Sequence, residues 1–139
     1  MKPFTAVLIS LLFVALAGLA LAAAPMSGEA GEEAQSWLEL VDAGEYGRSW
    51  ETSSAFFRIA VSEADWIAAV QAARKPLGAR IHRERNDSRE AISLPGAPDG
   101  EYRILLFTTE FAGKKAAHET LTLMREADGQ WRVASYFVE

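Results

Sequence analysis

The residues best suited to chemistry meet in the stretch Ala116–Glu126, where an imidazole and a carboxyl are neighbours: His118 and Glu119. Its pattern reads as a strand, and successive strand side chains point to opposite faces, so only one of the two can face inward. His118 shares its face with Thr120, Thr122 and Met124. Glu119 shares its face with Ala117, Leu121 and Leu123, the more apolar set, which makes Glu119 the candidate inward carboxylate. Burial moves a carboxyl pKa towards neutrality and suits it to general acid/base catalysis. A buried carboxylate that is not used this way needs an arginine or a tyrosine against it. The plain alternatives are a strand-end glutamate in solvent or in an ion pair, and a surface His118. Glu110, near the end of the preceding strand, is a further candidate of the same kind.

Tyr46, Arg48 and Trp50 fall together in a short helical segment. Tyr46 and Trp50 join Glu119 as the candidate ligand-binding set, placed at a pocket mouth. The structural alternative packs both aromatics onto a sheet and leaves Arg48 at the surface. Asp42 is a possible second carboxylate, but its place at the end of the first helix reads as solvated. Arg74, Lys75, Arg80, Arg83, Arg85 and Arg89 put six basic residues into 16 positions. Such a stripe could draw a phosphate or carboxylate of an envelope polymer or acidic partner. Glu84, Asp87 and Glu90 lie among them, and a self-neutralised edge strand is the alternative. Asn86-Asp87-Ser88 matches a glycosylation sequon, a short pattern of low specificity. With no cysteine and only His82 and His118 as imidazoles, in no shared motif, no metal site is expected. No glycine-rich phosphate loop, nucleophile elbow or Ser/His/Asp set is visible, and no cofactor is implied.

These side chains need a scaffold, and the chain begins with something else. Lys2, an apolar run from about Ala6 to Leu21, and Ala20-Leu21-Ala22 follow the three-part order of a secretory signal peptide. Cleavage is expected near Ala22, giving a leader over 1–22, a short linker over 23–31 and one domain over 32–139. The rival is a retained anchor, since the apolar run approaches the minimum length of a spanning helix. The absence of cysteine excludes lipid attachment at a leader cysteine, and it excludes disulfides, which many small exported domains use. The core alone must hold this domain. The whole chain carries 14 basic and 19 acidic residues. Losing Lys2 leaves 13 against 19, a net charge near −6, which argues against nucleic acid and against broad contact with anionic lipid. The membrane is then met only through the leader before cleavage, and the expected partner is a small ligand or an envelope protein.

The mature chain opens with helical periodicity. Ala34, Trp37, Leu38 and Val41 recur at i, i+3, i+4 and i+7, and Gly44 stops the helix. A second segment runs from Tyr46 to about Ser53, and Ala55–Ala60 continues the chain without a clear period. A third helix starts at Ser62 as N-cap, with Asp65 at the capping-box position and Val61 and Trp66 as a staple. Its inner face is Trp66, Ala69, Val70 and Ala73. Arg74 and Lys75 suit its negative end, and Pro76 and Gly78 end it. Strands follow at Ala79–Arg85, Tyr102–Phe111, Ala116–Glu126 and Gln130–Val138, with Asp128-Gly129 as a two-residue hairpin signal. The order predicts an α+β domain, three helices packed on a curved four-stranded antiparallel sheet. Its core candidates are Trp37, Val41, Trp50, Trp66, Val70, Leu106, Leu121 and Trp131.

A family resemblance accompanies this pattern. Its cues are Trp37 with Tyr46-Gly47-Arg48-Ser49-Trp50, Trp66, Arg74-Lys75-Pro76-Leu77-Gly78, Leu94-Pro95-Gly96-Ala97-Pro98-Asp99-Gly100-Glu101-Tyr102, Glu119-Thr120-Leu121-Thr122, and Asp128-Gly129-Gln130-Trp131-Arg132-Val133 running into Tyr136-Phe137. Together they resemble the exported bacterial family catalogued as domain of unknown function 4019. The resemblance implies a nuclear transport factor 2-like, or cystatin-like, cone with a pocket at its wide end. It brings no activity, and that fold hosts enzymes and non-enzymatic modules alike. Two functions stay open: an exported binding or accessory module, and a small cofactor-independent acid/base enzyme, isomerase- or dehydratase-like, with Glu119 as base. No acid/base pair shares one strand face, which favours the module.

Overall fold

The computed structural model describes residues 29–139. The leader expected over 1–22 and the linker up to residue 28 lie outside them. Helix α1 spans Glu29–Asp42 and therefore takes in the last residues assigned to the linker. Its buried face is the one the spacing predicts: Ala34, Trp37, Leu38 and Val41. Gly44, at φ 77°, lets the chain leave the helix in the left-handed region.

Three further helices follow, where the periodicity predicts two: α2 at Tyr46–Glu51, α3 at Ala55–Ala60 and α4 at Glu63–Arg74. The extra helix, α3, is opened by Ser54, whose hydroxyl accepts from Phe57 N at 3.1 Å. At six residues it is too short to show a helical period. Ser62 caps α4 as expected, accepting from Asp65 N at 3.2 Å. Tryptophan N–H groups tie the short helices down. Trp37 Nε1 donates to Ser49 O at 2.9 Å and Ser53 Oγ at 3.0 Å, Trp66 Nε1 to Ser49 Oγ at 3.0 Å, and Trp50 Nε1 to Val61 O at 2.9 Å. Each buried indole thus has the acceptor it needs.

The second half is one antiparallel sheet in sequence order, β1 (Arg80–Ala91), β2 (Tyr102–Phe111), β3 (Lys114–Arg125) and β4 (Trp131–Val138). The fold is α+β, with the helices on the sheet's inner face. A Cβ at Gly113, in the tight β2–β3 turn, would lie 2.5 Å from Pro76 O, so only glycine fits there. Strand β1 runs six residues past its expected end at Arg85. Bulges between Arg80 and His82 and between Arg85 and Asp87 interrupt its alternation, which hides the strand from a period-2 reading.

The main core joins Trp37, Val41, Phe57, Trp66 and Val70 to Leu105, Phe107, Leu121, Leu123, Val133 and Tyr136. Three corrections apply to the expected set. Leu106 is half-buried, on the face opposite Leu105 and Phe107. Trp50 and Trp131 pack only partly against the core. On α4, Ala73 is exposed and Arg74 is buried instead. Val133 and Tyr136 both face the core, although three positions separate them, because the β3–β4 register shifts opposite Thr122 and Leu123. A second cluster, Leu94, Tyr102 and Ile104, seats the β1–β2 loop on the sheet.

Candidate functional site

Glu119 faces inward and His118 outward, as strand alternation requires: Glu119 is fully buried and His118 exposed. Four hydrogen bonds converge on the carboxylate. Arg83 donates from Nε to Oε1 at 2.7 Å and from Nη2 to Oε2 at 3.2 Å. The hydroxyl of Thr109 donates to Oε1, and that of Tyr136 to Oε2. The elements dictate this meeting. Arg83 lies opposite Thr109 across β1 and β2. Tyr136 lies opposite Leu121, two residues along β3 from Glu119 on the same face. Two carboxylate oxygens offer about four acceptor positions, and here all are occupied.

The same guanidinium reaches a second carboxylate. Arg83 Nη1 and Nη2 donate to Asp42 Oδ2 and Oδ1 at 2.8 and 2.9 Å. Arg74 Nη2 and Arg80 Nε add bonds of 2.9 Å each to Asp42. Asp42, expected in solvent, has a side chain only 12% exposed and three arginine partners. Burial opposes its charge, but the bonds and charges of Arg83 and Arg74 outweigh this and hold its carboxyl below the ordinary range. Burial likewise opposes the charge on Arg83, and Asp42 and Glu119 more than compensate, so its proton is held more tightly than usual. Burial first, then the neighbouring Glu119 charge, push the Tyr136 phenol well above its ordinary pKa. Arg74 also stacks over the Phe111 ring, 4.7 Å from its centre.

Above this network lies a half-open groove of about 340 Å³ between α1 and β1. Gly31, Ala34, Gln35, Leu38, Glu39 and Asp42 form one stripe along α1 and make one wall. Arg80, Arg83 and Arg85 from β1, with Phe107 from β2, make the other. Glu119 lies behind Arg83 rather than in the lining. Tyr46 and Trp50 do not line the groove either; both are half-buried against the main core, in the packing role that was their alternative. Arg48 is exposed and Glu110 half-buried, opposite His82. Of the basic stripe, Arg89 pairs locally with Asp87 at 2.9 Å, while Arg74, Arg80 and Arg83 turn to Asp42.

Asp42, Thr109 and Tyr136 are therefore site residues that the reading of the chain did not place there. Thr109 was legible, since it shares the alternation of Leu105 and Phe107. Tyr136 was hidden by the bulge in β4. Among the described residues no group of three or more His, Cys, Asp and Glu is placed to hold a metal ion, and no helix is long and apolar enough to cross a membrane.

No curated protein matches the chain. A solved structure from Catenulispora acidiphila is similar at 18% identity with a TM-score of 0.41, over 80% of this chain and 88% of that one. Residues 33–136 match the family described as protein of unknown function (DUF4019), from within α1 to within β4, and the chain belongs to that family.

Proposed function

We propose that this chain is a small exported binding domain that holds a small ligand or envelope partner in the groove between α1 and β1, and that Glu119 serves its architecture rather than catalysis. One observation carries the reading: every acceptor position of Glu119 is filled by Arg83, Thr109 and Tyr136, and the side chain has no exposure. A general base needs an acceptor within reach of the substrate proton. This carboxylate has none to offer, and the acid/base alternative loses its base. The leader-like N-terminal sequence supports export, to the periplasm or beyond. The helices over a four-stranded sheet are compatible with a nuclear transport factor 2-like cone.

The test is a small-molecule screen on the exported protein, read by thermal shift and by NMR shift mapping. Compounds that bind are expected to move amides of the α1 stripe and of Arg80–Arg85. Hits that all map elsewhere would refute the site. Turnover of any substrate that Glu119→Gln abolishes without loss of stability would restore the enzyme reading. Mass spectrometry of the same material reads the export claim, with a new N-terminus near Ala23 expected and an intact Met1 in a membrane fraction against it.

A further inference from the structure

We infer that the groove selects an organic monocarboxylate, its apolar body lying along the narrow exposed edge of Phe107, 9% exposed, beside Ala34 and Leu38, and its carboxylate held by Arg85 and Arg80. The inference rests on the reading of the groove as a binding site and adds the class of ligand. It starts from a charge count. The groove walls carry three guanidiniums, Arg80, Arg83 and Arg85, against two carboxylates, Glu39 and Asp42. Behind the walls Arg74 and Glu119 cancel each other. One positive charge is left over in a protein whose total charge is negative.

That charge can be located. Asp42 and Glu119 saturate most of Arg83. Arg80 gives only its Nε to Asp42, and its side chain stays 37% exposed. Arg85 is exposed and has no ion pair among the described residues, while Arg80 and Arg89 have one each and Arg83 has two. Arg85 also sits directly opposite Phe107 in the β1–β2 register, so its donors lie beside the apolar floor. A planar guanidinium fork matches a carboxylate bidentately. A neutral ligand would gain nothing from this charge, and a cation would be repelled. A dianion would overshoot the single surplus charge and face Glu39, whose carboxylate is already engaged by Gln35 Nε2 at 3.2 Å. The volume is small. At about 30 Å³ per water it equals roughly eleven waters, enough for a medium-chain acid.

The experiment is isothermal titration of the exported protein with octanoate, octanol, octylammonium, octyl phosphate and acetate. Octanoate is expected to bind once per chain and more weakly as salt rises. Octanol, octylammonium and acetate are expected at least about tenfold weaker. Arg85→Gln, at an exposed position, should keep the fold and weaken octanoate about tenfold, the worth of a charge-assisted hydrogen bond. Lys115→Gln, at the start of β3 and outside the groove, should leave binding unchanged. Equal binding of octanol, tighter binding of octyl phosphate, equal binding of acetate, or an Arg85→Gln protein that binds octanoate normally would each overturn the inference. If octanol or octylammonium moves the amides of Ala34 and Leu38, the monocarboxylate falls and the binding domain stands. If no probe of any charge moves them, both fall.

Discussion

Replacing Arg83 with methionine should expose how much of this fold depends on one guanidinium. Its two ends are unequal. Asp42 keeps Arg74 and Arg80, each at 2.9 Å, and stays compensated. Glu119 keeps only the hydroxyls of Thr109 and Tyr136 as hydrogen-bond donors and loses its ion-pair partner while fully buried. Removing one member of a buried ion pair costs about 3–5 kcal/mol, chiefly through the charge left behind. The two remaining donors place Arg83→Met at the lower end, about 3 kcal/mol. Glu119→Gln keeps Arg83 paired with Asp42 and should cost less, about 2 kcal/mol. The double variant has no orphaned charge, so its loss should be near 3 kcal/mol rather than the sum, a coupling of about 2 kcal/mol. Urea denaturation followed by tryptophan fluorescence reads all four proteins, comparing midpoints at equal slope. A loss below about 1 kcal/mol for Arg83→Met, or coupling below about 0.5 kcal/mol, would refute the claim that Arg83 holds Glu119 in the core.

Trp66 is 3% exposed and packs 5.1 Å from Phe57 and 5.8 Å from Trp37, so Trp66→Ala should cost about 3–5 kcal/mol, whereas half-buried Trp131 should cost only about 1–2 kcal/mol, both by urea denaturation. Asp42 is held below its ordinary pKa when folded, so its contribution is complete above its unfolded value of about 3.9 and fades as pH falls through the lower folded value; stability of Asp42→Asn should decline less steeply than wild type from about pH 5 to pH 2. Tyr136 is held above its unfolded value of about 10, so its contribution is present below that pH and is lost as pH rises beyond it; Tyr136→Phe should flatten the alkaline limb of stability against pH.

Much of this architecture was legible where one local rule acted alone. Ala34, Trp37, Leu38 and Val41 obey the helical period and are buried as expected. Ser62 and Asp65 make the cap that their spacing announces. Asp128-Gly129 marks the place of the β3–β4 turn but not its length: the loop is Ala127, Asp128 and Gly129, closed by Glu126 N donating to Gln130 O at 2.9 Å, with Gly129 at φ 84°. The failures have local causes as well. Helix α3 is nucleated by Ser54, a signal of one residue, and β1 is a polar edge strand with two bulges. The β2 pattern admits Leu106 as inward-facing, but Leu105 and Phe107, one position to either side, are the residues that face the core. Period-2 reasoning offers both phases, and only the turn and register choose between them.

The candidate site was legible by half, for a reason that separates single residues from pairs. Glu119 could be read because burial is a property of its own strand face, and chemistry then demanded an arginine or a tyrosine. Both are present, yet neither could be named, since Arg83 lies 36 residues away and Tyr136 lies 17. The burial of Asp42 is hidden from the sequence for the same reason. A helix-end carboxylate is solvated unless something basic packs on it, and its partners are 32, 38 and 41 residues downstream. Once those pairings are known, the basic stripe stops being one feature. Arg74, Arg80 and Arg83 belong to the carboxylates and Arg89 to its neighbour Asp87, which leaves Arg85 as the stripe's cation on the groove without an ion pair among the described residues. Around Glu119 every acceptor position is filled, which gives rigidity and little chemistry, while Arg74 Nε and Nη1 are buried without a partner at the back of the network. What this fold can offer a ligand therefore lies at the edge of that network, along the groove that Arg80 and Arg85 line, with Arg85 opposite Phe107.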